Sequence, residues 1–125
     1  MIKVLIVDDN EVLSGLIKEI LEMEKIYHVK TAEDGEEGYM AFLRFNPDII
    51  LTDIEMPVKN GLEMIRDIRI HNPGIKTIYM SADPNRYRSL LEEEKSKYKA
   101  NLLDKPFTFS RMMGLFYEYQ KGVIG

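Results

Sequence analysis

Five short runs rich in β-branched residues, each closed by a polar residue, recur along the chain with helix-like stretches between them. The runs are Ile2–Val7, Tyr27–Thr31, Ile49–Thr52, Thr77–Met80 and, more weakly, Leu102–Leu103. Continuous apolar runs, as opposed to alternating ones, mark strands covered on both faces, which is the situation of a parallel sheet under helices. The intervening stretches carry helical spacing. Leu13, Leu16, Ile17, Ile20 and Leu21 share a face in the first. Tyr39, Phe42 and Leu43 do so in the second, which Asp34 and Glu37 open in a capping-box arrangement. Leu62, Ile65 and Ile68 mark the third, which stops before Asn72-Pro73-Gly74. A fourth, about Pro84–Tyr98, is mostly charge after Leu91, and its run Glu92–Lys97 reads as an exposed face with i,i+4 pairing. A fifth spans about Phe109–Lys121. The pattern β-α, five times over, predicts a single-domain α/β fold with a doubly wound parallel sheet.

Composition narrows the function. At 125 residues the chain has the size of one domain, and 45% hydrophobic with 30% charged residues suits a folded core. There is no cysteine, so disulfide frameworks, thiolate metal sites and cysteine nucleophiles are excluded. Seventeen Lys and Arg face 21 Asp and Glu, net −4, which argues against a nucleic-acid surface. Apolar runs such as Val4–Val7 fall far short of the ~20 residues needed to span a bilayer. A cytoplasmic protein is the expectation.

In doubly wound folds the ligand crevice lies beyond the carboxyl ends of the strands. Those ends here are Asp8-Asp9, Asp53, Ser81 and Lys105-Pro106. Three carboxylates in one crevice repel, and at least one should have a raised pKa unless a cation is present. Lys105 brings one positive charge and a divalent ion would bring two. Oxygen-only ligands suit Mg²⁺, which often sits beside phosphate. The strand ends therefore read as a Mg²⁺-assisted phosphoryl site.

This constellation resembles the receiver domain of two-component response regulators. Asp53-Ile54-Glu55-Met56-Pro57 followed by Gly61 is similar to that family's D-x-x-M-P-x-x-x-G loop. Val7-Asp8-Asp9-Asn10-Glu11 and Lys105-Pro106-Phe107 resemble its acidic first loop and its K-P-F segment. The resemblance covers the whole chain and implies a flavodoxin-like (βα)5 fold with strand order 2-1-3-4-5. It implies one receiver domain over residues 1–125 with no effector domain, either stand-alone or a piece of a longer regulator.

Residue by residue, the resemblance implies Asp53 as phosphoacceptor, attacking the phosphohistidine of a sensor histidine kinase or phosphotransfer protein. Asp8, Asp9, Asp53 and the backbone carbonyl of Glu55 would hold Mg²⁺ or Mn²⁺, Asp8 largely through water. Lys105 would contact a phosphoryl oxygen. Ser81 would move to donate to the phosphoryl group, helped by the Ala82 N–H, and the Lys105–Pro106 peptide would be cis. Leu102 stands where the family commonly has an aromatic residue. The implied protein is a signalling domain with at most slow autodephosphorylation, not an enzyme, working with a downstream target and without membrane or nucleic-acid contact.

Other readings stand beside this one. An aspartate-nucleophile phosphohydrolase usually has a second Asp two residues after the nucleophile, where this chain has Glu55. An FMN binder needs a phosphate-cradling first loop, which Asp8-Asp9-Asn10-Glu11 would repel. An interaction module of the same fold would work without phosphorylation. Finally, the fifth helix carries more apolar surface than the ~100° stripe that covering a sheet requires. Leu102, Phe109, Met112, Met113, Phe116 and Tyr119 are expected to form a contact surface for a partner or a second copy.

Overall fold

The sheet sorts its strands by how much apolar surface they offer. In this computed structural model, which describes residues 1–124, the order is β1 (Ile2–Val7), α1 (Glu11–Glu22), β2 (Tyr27–Ala32), α2 (Gly35–Phe45), β3 (Ile49–Asp53), α3 (Gly61–His71) and β4 (Lys76–Ser81). A 3-10 turn (Pro84–Tyr87), α4 (Arg88–Lys97), β5 (Ala100–Asp104) and α5 (Phe109–Ile124) follow. All strands are parallel in the order β2-β1-β3-β4-β5, as expected. β3 and β4 are buried throughout and β1 nearly so, whereas β2, at one edge, alternates buried Tyr27 and Val29 with exposed His28 and Lys30. One core lies between the sheet and α1 and α5, around Ile17, Leu21, Met112 and Phe116. The other lies under α2, α3 and α4, around Phe42, Met64, Ile65, Ile68 and Leu91. No described helix is long and apolar enough to cross a membrane.

Helix starts follow local chemistry. Asn10 and Asp34 cap α1 and α2, accepting from the N–H groups of Leu13 and Glu37. The complete reciprocal capping box occurs at α3, between Asn60 and Glu63. Two expected core residues lie outside: Leu16 and Leu43 are 43% and 47% exposed. In α2 the inward arc runs through Gly35, Gly38, Phe42 and Phe45 instead. A Cβ on Gly38 would sit 2.6 Å from Met64 Sδ and 2.9 Å from Val7 Cγ2, so the helix lies too close for a side chain there. Apolar periodicity overlooks a face that glycines set.

Half of the six residues expected to form a contact surface on β5 and α5 belong to the core. Met112, Phe116 and Tyr119, spaced i, i+4, i+7, are buried against the sheet. The Tyr119 hydroxyl donates to the Thr77 carbonyl at 2.8 Å and accepts from Asn101 Nδ2 at 2.9 Å, which satisfies its polar end. Of the six residues named, Leu102 and Met113 are half-buried and Phe109 is exposed.

α4 departs further from expectation. The i,i+4 pair Lys97–Glu93 is present at 2.8 Å on the outside. Glu94, in the same charged run, turns inward. Its Oε1 accepts from the Tyr79 hydroxyl on β4 at 2.5 Å and from Arg69 Nη1 on α3. Arg69 is buried, with its guanidinium 3.8 Å from the centre of the Tyr98 ring. Only one residue of α4, Leu91, is buried. A single leucine and a carboxylate therefore seat this helix.

Glu94→Ala should leave Arg69 as an unpaired buried charge and lower stability by about 3 kcal/mol, while Glu93→Ala should change it by less than about 0.5 kcal/mol. Urea denaturation of the two variants checks this. Arg69→Met with Glu94→Leu should recover most of the loss.

Candidate functional site

Strand register brings the polar ends level. Val7 pairs with Thr52, Asp53 with Met80, and Ser81 with Asp104, so the residues that follow or end each strand meet along one edge. Asp8 and Asp53 are buried, Asp9 is exposed, and one carboxylate oxygen from each lies within 4.8 Å of the others. Lys105 Nζ sits 3.2 Å from Asp8 Oδ2 and 3.4 Å from Asp53 Oδ2. Its own N–H donates to the Ser81 carbonyl at 2.8 Å, which ties the lysine to the end of β4. The Lys105–Pro106 peptide is cis.

The loop after Asp53 closes tightly over the strand. Gly61 N donates to the Ile54 carbonyl at 2.9 Å, and a Cβ at Gly61 would lie 2.2 Å from the Asp53 carbonyl oxygen. Only glycine permits that approach. The motif glycine is thus part of how Asp53 is held.

Charge in the pocket is incompletely balanced. Burial is the largest effect on Asp53; Lys105 opposes it, Asp8 and Glu55 add to it, and the pKa is raised to about 6. Burial also works against the Lys105 ammonium, but Asp53 and Asp8 outweigh it and its pKa is raised overall. One cation therefore serves two buried carboxylates. Asp8, Asp9 and Asp53 present a compact, oxygen-only donor set with an uncompensated negative charge, which fits a hard divalent cation such as Mg²⁺ or Mn²⁺.

Ser81 is fully buried, and its hydroxyl makes no hydrogen bond to Asp8, Asp9 or Asp53. It donates to Glu55 Oε1 at 2.6 Å and accepts from the Asp83 N–H at 3.0 Å. Ala82, next along, is exposed, as is Pro106. The Glu55 side chain has a definite partner that sequence reasoning did not assign, because nothing in the spacing of Glu55 and Ser81 ties two residues 26 positions apart.

Comparison with known proteins agrees with this geometry. Residues 4–116 match the family described as response regulator receiver domain. The chain is 33% identical to Protein CcdB of Bacillus subtilis over 90% of its own length and 92% of that protein. It is 34% identical to the chemotaxis protein CheY of Halobacterium salinarum, covering 76% of this chain and 72% of the relative. Among solved structures, the Thermotoga maritima response regulator TrrA, in complex with Mg²⁺-BeF, superposes with a TM-score of 0.80 at 34% identity, covering 95% of this chain and 99% of that one. The chain spans only 34% and 29% of the transcriptional regulatory proteins DegU and CpxR, which it also matches. The chain belongs to the response regulator receiver domain family.

Proposed function

We propose that this receiver is a phosphoacceptor switch, with Asp53 taking a phosphoryl group from the phosphohistidine of a sensor histidine kinase or phosphotransfer protein. The observation that carries the reading is Lys105 Nζ between Asp8 and Asp53, with Asp9 in reach of both. An Asp53 carboxylate oxygen attacks phosphorus, the P–N bond breaks, and its electron pair stays on the donor imidazole as the acyl phosphate forms. Phosphoryl transfer needs little covalent help, so catalysis is positioning and charge neutralisation. Lys105 stabilises one transferring oxygen as a point charge. Asp8, Asp9, Asp53 and the Glu55 carbonyl would hold Mg²⁺ or Mn²⁺, which neutralises the remaining phosphoryl charge. The Ser81 hydroxyl, with the Ala82 N–H, would move to donate a hydrogen bond to the phosphoryl group on Asp53 and carry the change to the surface. That output surface comprises α4, β5 and α5, where Leu102, Phe109 and Met113, together with Leu90 and Tyr117, are accessible to a target or a second copy. The working place is the cytoplasm, where such kinases present their phosphohistidine.

Incubation with acetyl phosphate and Mg²⁺ should add one phosphoryl group by intact mass. Asp53→Asn should add none, and Lys105→Ala should slow the reaction by at least about tenfold.

The raised Asp53 pKa has a stability consequence. Between the ordinary value of 3.8 and about 6 the folded chain holds a proton that the unfolded chain has lost. Stability without divalent ion should therefore fall as pH rises through that window, by on the order of 2 kcal/mol. Asp53→Asn should be the more stable protein at pH 7 and gain little at pH 4, and added Mg²⁺ should narrow the difference at pH 7. Urea denaturation at both pH values, with and without Mg²⁺, measures this.

A further inference from the structure

We propose that the Glu55 side chain is a positioning residue that withholds the Ser81 hydroxyl from the phosphoryl group until phosphorylation displaces it. The inference rests on the phosphoacceptor reading of Asp53 and assigns it a second, competing anion. A serine hydroxyl has one proton to donate. Here that proton goes to Glu55 Oε1 at 2.6 Å, the length of a charge-assisted O–H···O⁻ bond. On the other side the Asp83 N–H donates to Ser81 Oγ at 3.0 Å, so the hydroxyl is held from both directions. Ser81 is fully buried, which strengthens both bonds relative to water.

The geometry follows from the sheet. Asp53 ends β3 and pairs with Met80, so Glu55, two residues beyond, lies beside Ser81 at the end of β4. The carboxylate thus occupies the place of a partner that a phosphoryl oxygen on Asp53 would otherwise take. Phosphorylation acts on this bond twice. It offers the hydroxyl a more highly charged acceptor, and its negative charge repels the Glu55 carboxylate. Glu55 is only half-buried, so once released it can hydrate at little cost. Ser81 then has two discrete seats, and the balance between them sets how readily the site accepts a phosphoryl group.

A double-mutant cycle separates this role from a general charge effect. Calorimetry would measure binding of beryllofluoride with Mg²⁺, a phosphoryl mimic, to the full chain as wild type, Glu55→Gln, Glu55→Ala, Ser81→Ala and the Glu55→Ala/Ser81→Ala double variant. Glu55→Ala should bind about tenfold more tightly than wild type, with Glu55→Gln between them. In the Ser81→Ala background the gain should shrink to about twofold or less. An equal gain in both backgrounds would mean that Glu55 acts only by repelling the anion, and no gain would mean that it holds nothing; either overturns the proposal. In the free protein, the Asp83 amide should exchange with solvent faster in Glu55→Ala than in wild type, and unchanged exchange also overturns it. If wild type takes up no beryllofluoride, or Asp53→Asn takes it up equally, the phosphoacceptor reading fails instead, and the Asp83 amide still judges the Glu55–Ser81 bond.

Discussion

Like charges forced together at the end of a parallel sheet are the constraint on which this molecule turns. Parallel pairing in register makes β1, β3 and β4 end level, and each end carries a group that water would solvate better than protein does. The fold accepts that cost because the two large cores below, packed on both faces of the sheet, supply far more burial than the pocket loses. Lys105, arriving from beyond β5, offsets part of the repulsion but leaves the Asp53 pKa raised to about 6. A pocket in that condition is poised toward cations and toward transfer of a group that brings its own counter-ion.

Much of this was readable from residues alone because it depends on periodicity and on strand ends. Continuous apolar runs implied inner strands, and the polar residue closing each run identified what the sheet would gather. The motif around Asp53 and Gly61 was readable for a related reason: a glycine whose Cβ would strike the preceding strand cannot be exchanged, so its spacing from Asp53 is rigid.

What escaped was the direction in which individual side chains turn. Glu94 sits in a run of four charges that any periodicity argument sends to solvent, yet it faces Tyr79 and Arg69. Met112, Phe116 and Tyr119 are the stripe that α5 buries, but the apolar residues flanking them leave periodicity unable to say which arc faces the sheet. Tyr119 goes inside because Asn101 and the Thr77 carbonyl satisfy its hydroxyl. The Glu55–Ser81 bond joins the loop after β3 to the end of the neighbouring β4, and pairings of that kind become visible only once strand order and register are known.

The arginine under α4 has a consequence of its own. Arg69 gives Nη1 to Glu94, while its Nε and Nη2 are buried with no hydrogen-bond partner among the described residues. A planar fork that engages one tine leaves the helix above it a choice of footing. An acceptor brought within reach of either nitrogen would satisfy a donor that is now buried without one. Of the two contacts that seat α4, chilling would loosen the apolar one at Leu91 and leave the ionic one at Glu94.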